Sequence, residues 1–442
     1  MAPNAELTRR QRPASNHPIK PSVAGMEKSS RSSSSESLSN SNSQQGISHL
    51  SQEAAKVKLI RDAIRAEDKR LRAAYPFPLG EHWQSAVGLF IYVAAWAAWG
   101  LATHAWWHGS LSMPALMVIN ALAISLLHEM EHDLIHELYF KRSPWVQHVM
   151  FAGIWLIKSN ASPWWRKYYH LRHHQYSGQV NDVEERLIGL GLPWYSPKRL
   201  LVTLTPAGTL LVANDIARDD PEFSRFNLVL CNSPVIVLST AAMLVHLVAS
   251  LGGGEALVRA GLLSEGMFAM LSHRLLPALF LYNATVNFPN VLRQSCLVII
   301  STYCHYYGDI PERDVFFQTQ ILDHPFLWPL QLFCFNFGAT HIIHHFVTRQ
   351  PFYLRQVVAF GVLPLMKAQG CRHNDMSNNF RGNRWAGGED AVDHEEETTT
   401  LTGIKGRAGK GGNGGMGGAS STDTSPTTSD DEDGAEDHIK GA

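Results

Sequence analysis

Cysteine is scarce in this 442-residue chain, and its scarcity excludes several kinds of site. The five cysteines contain no C-x-x-C pair, which argues against a structural zinc site and against an iron–sulfur cluster. They also give no disulfide framework, so we interpret them as reduced packing residues of a protein that faces the cytosol.

Sequence signals for redox modules and for targeting are missing as well. No G-x-G-x-x-G stretch follows a predicted strand, and no H-P-G-G stretch is present, so no flavin or heme module is predicted within the chain.

The N-terminus lacks the basic-then-apolar pattern of a signal peptide, so we expect internal segments to insert into the membrane. With a net charge of -1, no nucleic-acid partner is expected.

Polar, low-complexity residues dominate both ends of the chain. Residues 1–52 are rich in Ser and Asn, and residues 376–442 are rich in Gly and then in acids. Neither stretch has enough apolar side chains to offset the entropy lost on folding, so both are predicted to be disordered tails. Residues 79–375 between them are predicted to form one membrane domain.

Residues 53–78 are predicted to form an amphipathic helix that precedes this domain. Val57, Ile60, Ile64 and Leu71 recur at helical spacing among charged residues. The pattern suits either a surface helix or an anchor at the membrane interface, and its basic residues favour the cytosolic side.

The apolar segments predict an all-α integral membrane protein with about four transmembrane helices. The four segments are residues 85–107, 111–127, 228–251 and 266–304, of which the last crosses mainly from residue 275. An even number of crossings places residues 128–227 and 305–380 on the same side. Both regions are rich in Lys and Arg, so we expect them to form a helical cap in the cytosol.

Histidines cluster in these two polar regions. The clustered residues are His132, His136, His170, His173, His174, His305, His341, His344 and His345. The H-x-x-x-H pair shares one face of a helix, and H-x-x-H-H occurs twice. A lone histidine at a membrane edge is usually structural, but so many on one side predict metal ligands. His128 lies one turn before His132 and is a less certain tenth candidate.

The number and type of these ligands indicate two metal ions. Nine or ten imidazoles exceed the coordination of one ion, and nitrogen-rich sites with open positions suit iron that reacts with dioxygen. Two zinc ions in a membrane hydrolase are the alternative from another class of protein.

The stretches "HDLIH", "HLRHH" and "FGATHIIHH" resemble the three histidine boxes of the membrane fatty-acid desaturase superfamily, which also contains hydroxylases and ketolases. The resemblance implies a di-iron centre, with His305 as the ligand that follows the last span. It also makes Asp182 a candidate to orient an imidazole. Some relatives have an Asn one turn before the residue that matches His305, and this chain has Ser301 there.

The resemblance also implies a reaction and its partners. Dioxygen and two irons would oxidise the acyl chain of a membrane lipid or acyl-CoA. Desaturation is the first expectation, and a hydroxylase, a ketolase or an acetylenase is the alternative. Electrons are expected from a separate carrier, such as cytochrome b5 with its reductase. The expected location is the endoplasmic reticulum, with both termini in the cytosol.

Charged residues flank the boxes. Four acids surround the first box: Glu129, Glu131, Asp133 and Glu137. We expect at least two of them on a solvated face. Five basic residues lie near the boxes: Arg142, Lys158, Arg166, Lys167 and Arg349. We expect these to form a surface that attracts an acidic electron carrier.

Overall fold

The computed structural model describes residues 36–205 and 208–386. Within them the secondary structure is helical, with two isolated β-bridges and no strand, which confirms the all-α prediction. Of the two predicted disordered tails, residues 1–35 and 387–442 lie outside the described residues.

The helices are numbered in chain order. The first ten are α1 (Glu36–Ala74), α2 (Pro76–Leu79), α3 (Gln84–Trp107), α4 (Met113–Ile135), α5 (Pro144–Lys158), α6 (Pro163–Tyr176), α7 (Val183–Leu187), α8 (Pro197–Leu204), α9 (Thr209–Asp219) and α10 (Arg225–Asn232). The others are α11 (Val235–Ser250), α12 (Gly253–Arg259), α13 (Glu265–Met270), α14 (Leu276–Tyr282), α15 (Phe288–Cys304), α16 (Val315–Gln318), α17 (Trp328–Gln331), α18 (Phe337–Phe346) and α19 (Phe352–Ala368).

Helices α3 and α4 form a hairpin of two apolar segments. With the turn before it, α3 gives a segment of 27 residues, and α4 has 23 residues. Both are long and apolar enough to cross a bilayer. Only 17% of the apolar window of the first segment is buried, against 56% for α4. Helix α4 therefore packs inside the protein. It also runs beyond the predicted end at residue 127, so the first histidine box begins on the same helix.

The predicted third span, residues 228–251, is divided in two. Helices α10 and α11 together are apolar enough for one span, but their axes differ by 82°. Residues 266–304 are helical from α13 to α15, with π-helical turns at Leu271–Leu275 and Asn283–Asn287. Unlike α3 and α4, none of these helices is both long enough and apolar enough to qualify as a candidate membrane span.

A second bent pair comprises Pro325–Cys334 and α18, whose axes differ by 70°. Among the described residues, two helices can therefore cross a membrane, or up to four if each bent pair is one span. The four membrane crossings and the cytosolic location of the helical cap therefore remain predictions.

Helix α1 packs against the helix that carries the third histidine box. Ile60 and Ile64 are fully buried, in one hydrophobic cluster with Ile342 and Ile343 of α18 and with Leu354 of α19. The helix begins at Glu36 and ends at Ala74, whereas residues 53–78 were predicted, so part of the predicted N-terminal tail is helical. The apolar stripe of α1 thus supports the core of the protein.

The folded chain continues beyond the predicted domain boundary at residue 375. Residues 376–386, which we name the C-terminal strap, follow α19 and include a short 3₁₀ turn at Asn378–Arg381. Asn378 and Asn383 are fully buried. Residues 376–386 of the predicted C-terminal tail are therefore part of the folded structure.

Candidate metal centre

The histidines of the three boxes lie on three helices that meet in the interior. His132 lies in the last turn of α4, and His136 follows the end of that helix. The second box lies on α6 and the third on α18. His305 directly follows the end of α15.

These nine imidazoles converge in two groups. The first group comprises His132, His136, His170, His174 and His344. The second comprises His173, His305, His341 and His345. Within each group the candidate ligand atoms lie within 4.8 Å of one another. Helices α6 and α18 each contribute to both groups. In each helix the two histidines four residues apart share a face and a group, whereas adjacent histidines, about 100° apart around the helix, fall in different groups.

The distances between neighbouring nitrogens fit a shared metal ion. In the first group, His136 Nε2 lies 2.9 Å from His170 Nε2, and His344 Nε2 lies 2.9 Å from His174 Nε2. In the second group, His341 Nε2 lies 3.1 Å from His305 Nε2. Two imidazoles at right angles on one ion, each about 2.1 Å from it, would hold their nitrogens about 3.0 Å apart.

Buried ring nitrogens that have no hydrogen-bond partner give a second test of whether these residues fit a metal ion. Both ring nitrogens of His132 are buried and have no hydrogen-bond partner among the described residues. Its ring centroid nevertheless lies 4.3 Å from that of His344 and 4.7 Å from that of His170. An unsatisfied buried polar atom is costly, and a metal ion held by this group would satisfy one of the two nitrogens. The residues present therefore fit a metal.

Acidic side chains orient two imidazoles of α6. Asp182, the predicted orienting residue, lies 3.0 Å from Nδ1 of His173 through its Oδ2. Glu184 Oε2 lies 2.6 Å from Nδ1 of His170. An acceptor at Nδ1 leaves the lone pair of Nε2 facing the group.

Two further imidazoles have acceptors that sequence reasoning missed. His305 Nδ1 lies 2.8 Å from the carbonyl oxygen of Ser301 and 3.3 Å from Oε2 of Glu185. His345 Nδ1 lies 3.0 Å from Oε1 of Gln318. The acidic run after the second box could have indicated Glu184 and Glu185, whereas nothing in the sequence marks Gln318.

Ser301 supports one of these acids. Its hydroxyl donates to Oε2 of Glu185 at 2.9 Å. The position at which this chain departs from some relatives is therefore occupied by a side chain that holds an acid beside His305.

His128 joins neither histidine group. Its side chain is buried, and its Nδ1 has no hydrogen-bond partner among the described residues. It lines the cavity described below. The geometry brings together the nine other predicted ligands without it.

Three of the four acids around the first box are buried, so the expectation that at least two lie on a solvated face is wrong. Glu129, Glu131 and Asp133 are at most 5% exposed, whereas Glu137 is exposed. Asp133 accepts hydrogen bonds from the Tyr139 hydroxyl and from the backbone N–H of Phe352, the first residue of α19. These acids therefore connect the first box to the surrounding helices.

The predicted basic surface is also wrong in part. Lys158 is buried and donates to Glu131. Arg166 bridges two acids, with Nη1 at 3.3 Å from Glu131 and Nε at 2.9 Å from Glu184. Both residues belong to an interior ion-pair network that ends at His170, so neither is available to an electron carrier.

Burial and neighbouring charges shift the pKa values of the groups around α6 in different directions. Burial lowers the pKa of His174 well below its ordinary value, so its ring is neutral and free to bind a metal at neutral pH. Burial alone would raise the pKa of Glu184, but His170 and Arg166 hold it well below its usual range. Burial raises the pKa of Glu185 to about 8.

A cavity of about 150 Å³ adjoins both histidine groups. Its wall includes four of the nine imidazoles: His132, His170, His173 and His341. Leu187, Val202 and Leu228 contribute to the apolar part of the remaining lining, which also contains charged side chains such as Glu184 and Glu185. An apolar group of a substrate can therefore reach both histidine groups.

The fold and the site together define a helical membrane protein whose nine clustered imidazoles form two buried groups beside an apolar cavity. Residues 104–375 match the family model described as fatty acid desaturase. This match covers more than half of the chain, so the protein belongs to the fatty acid desaturase family. A comparison with curated proteins gave no match. Membership of the family implies oxidoreductase activity on a fatty-acyl chain, of the desaturase or hydroxylase type.

Proposed function

We propose that the protein is a membrane-bound, iron- and dioxygen-dependent fatty-acyl desaturase with two iron ions. The observation that supports this most is the sorting of nine imidazoles into two buried groups with all-nitrogen ligand sets. Nitrogen ligands without thiolates suit iron that reacts with dioxygen. The first group would hold one iron and the second group the other.

Iron at these positions would supply the redox chemistry that removes hydrogen from an unactivated carbon. The residues of the chain bind and orient the reactants. Glu184 and Asp182 fix the rings of His170 and His173 through their Nδ1 atoms. The apolar wall of the cavity excludes water and positions one segment of an acyl chain at the histidines.

Hydroxylation, ketone formation and acetylene formation are the alternative outcomes. All would use the same ligands, so the site itself favours none of them. Analysis of the lipids of yeast cells that express the chain separates them, because a new double bond, a hydroxyl group, a ketone and a triple bond change the mass and the fragmentation of an acyl chain differently. We expect a new double bond. A hydroxylated product with no new alkene would contradict desaturation.

The zinc hydrolase alternative is tested by the metal content of the purified protein. We expect about two iron ions per chain, because the two groups provide two sets of ligands. Zinc alone, with no change in the lipids of the host, would contradict the proposal and support a hydrolase.

The acyl carrier, the electron donor and the location complete the proposal. The substrate is the acyl chain of a membrane lipid or of acyl-CoA. We propose that a separate carrier such as cytochrome b5, reduced by its reductase, supplies the electrons, and that no nucleic acid is involved. The protein would lie in the endoplasmic reticulum with both termini in the cytosol, as its apolar helices and the enrichment of Lys and Arg near the boxes support.

A further inference from the structure

His305 directly follows the last turn of α15, where the carbonyl groups of a helix have no intrahelical partner. The final carbonyl groups of any helix lack intrahelical donors and need partners from elsewhere. His305 lies directly after this turn, it is fully buried, and its ring belongs to the second histidine group. Whatever satisfies these carbonyls also fixes the backbone of His305.

Two asparagines of the C-terminal strap supply donors to three of these carbonyl groups, and Gln320 donates to the carbonyl groups of Tyr303 and Cys304. Asn378 Nδ2 donates to the carbonyl oxygens of Tyr303, at 2.8 Å, and of His305, at 2.9 Å. Asn383 Nδ2 donates to the carbonyl oxygen of Thr302. Both asparagines are 0% exposed, so removing either amide takes a donor away from carbonyl groups in the interior of the protein.

The strap is itself fixed in place by contacts on both sides of these asparagines. The side-chain oxygen of Asn383 accepts from Arg199 Nη1 and from the backbone N–H of Gly191, each at 3.0 Å. Near the end of the strap, the Arg372 guanidinium lies 4.0 Å from the ring centroid of Trp385. The backbone N–H of Trp385 donates to Asp309 at 2.8 Å.

The strap lies outside the part of the chain that matches the family, which ends at residue 375. From these contacts we propose that the strap is a positioning element for the second metal, because Asn378 and Asn383 hold His305 in the second histidine group. This inference rests on the proposed two-metal function. The first group has no ligand on α15, so a weakened strap affects one metal and leaves the other in place.

Two substitutions remove the asparagine amides, and Asn383→Gly also removes the acceptor of Arg199 and Gly191. Asn378→Ala shortens a side chain at a buried position. Asn383 has a φ angle of 66°, a conformation that glycine tolerates, so Asn383→Gly removes the amide without straining the backbone. The matched control is Asn374→Gly, since Asn374 has a φ angle of 52°. Its Nδ2 donates to Asp323 at 2.8 Å, away from the histidines.

The experiment is a titration of the full-length, detergent-solubilised protein with Co²⁺ after removal of bound metal. Visible absorption of Co²⁺ reports the geometry of each site, and calorimetry counts the ions bound. We expect the wild-type chain and Asn374→Gly to bind two ions. Each strap variant should bind the first ion as the wild type does and the second about 10- to 100-fold more weakly, the usual effect of losing support behind a ligand.

The possible results separate the two proposals. Wild-type affinity for both ions in Asn378→Ala and Asn383→Gly would overturn the role of the strap. Loss of both ions in a strap variant would indicate a general defect and would also overturn this role. An equal loss of affinity for the second ion in the control Asn374→Gly would overturn it too. A wild-type chain that binds fewer than two Co²⁺ ions would instead overturn the two-metal function on which the inference rests.

Discussion

Glu184 and His170 form a close hydrogen-bonded pair, with Glu184 Oε2 at 2.6 Å from His170 Nδ1. The other carboxylate oxygen of Glu184 accepts from Arg166 at 2.9 Å. Arg166 is in turn paired with Glu131 of α4. One carboxylate thus connects a candidate ligand on α6 to the helix that carries the first box.

Glu184→Gln is expected to weaken the binding of the first metal about 10- to 100-fold. The amide keeps the size of the side chain but removes the charge that stabilises both His170 and Arg166. Metal content after purification and the affinity for Co²⁺ measure the effect. Glu137→Gln is the control, because Glu137 is an exposed acid near the same box. Wild-type affinity in Glu184→Gln would show that the pair does not support the ligand.

Replacing any histidine of the two groups with Ala is expected to abolish desaturation and to lower the metal content, because each ring supplies one ligand atom. His132→Ala and His341→Ala test one member of each group. His128→Ala should keep two metals, since His128 lies in neither group. Metal analysis beside product analysis checks this. Full turnover in His341→Ala, or loss of a metal in His128→Ala, would contradict the assignment.

The buried pair of Lys158 and Glu131 is expected to stabilise the fold. Lys158→Met should lower the free energy of unfolding by about 3 kcal/mol, because it removes one partner of a fully buried carboxylate. The control is Lys198→Met, whose exposed pair with Asp215 should contribute less than about 1 kcal/mol. Denaturant titration in detergent measures both. Adding Glu131→Gln to Lys158→Met should recover part of the loss, and a further large loss would argue against the pair.

Both termini and the histidine helices are expected on the cytosolic side. Glycosylation acceptors placed in the 20s, beside Glu222 or in the 390s should stay unmodified, whereas an acceptor in a spacer inserted after Gly261 should be glycosylated. Gel mobility before and after treatment with a glycosidase reads out each variant. Glu222 is exposed. Glycosylation beside it would place the histidine helices on the lumenal side of the membrane and contradict this topology.

Turnover is expected to need an added electron carrier. Purified protein with NADH and dioxygen alone should form no product, and an acidic carrier with its reductase should restore product formation. The rate should fall as salt screens the attraction between the proteins. Gas chromatography of the acyl products measures the rate. Activity without a carrier would reveal a redox module that the sequence does not suggest.

Local patterns in the sequence were sufficient to identify the nine histidines that cluster. H-x-x-x-H and H-x-x-H-H place rings on one helix because helical spacing is fixed, and the nine rings meet as those patterns predict. The distribution of the rings between two groups was not predictable, because it depends on how α6 and α18 are oriented in the fold. His173 and His174 are adjacent in the sequence but belong to different groups.

Partners far apart in the sequence were the hardest to predict. Lys158 and Arg166 read as surface charges because a basic residue is usually solvated. Both are directed inward by Glu131, an acid on another helix. Asn378 and Asn383 lie in a polar stretch that resembles a tail, and only their contacts with α15 show that they are structural.

The sharing of α18 between the two groups has a consequence for how the protein matures. The first group needs His344, and the second needs His341 and His345. Until the ribosome has made α18, the nascent chain contains neither complete set of ligands, although α4 is already long enough to enter the membrane. Neither candidate metal site can therefore be complete before α18 has been synthesised, when α4 is already available to enter the membrane. A chain interrupted before residue 341 would reach the membrane without a complete site for either metal.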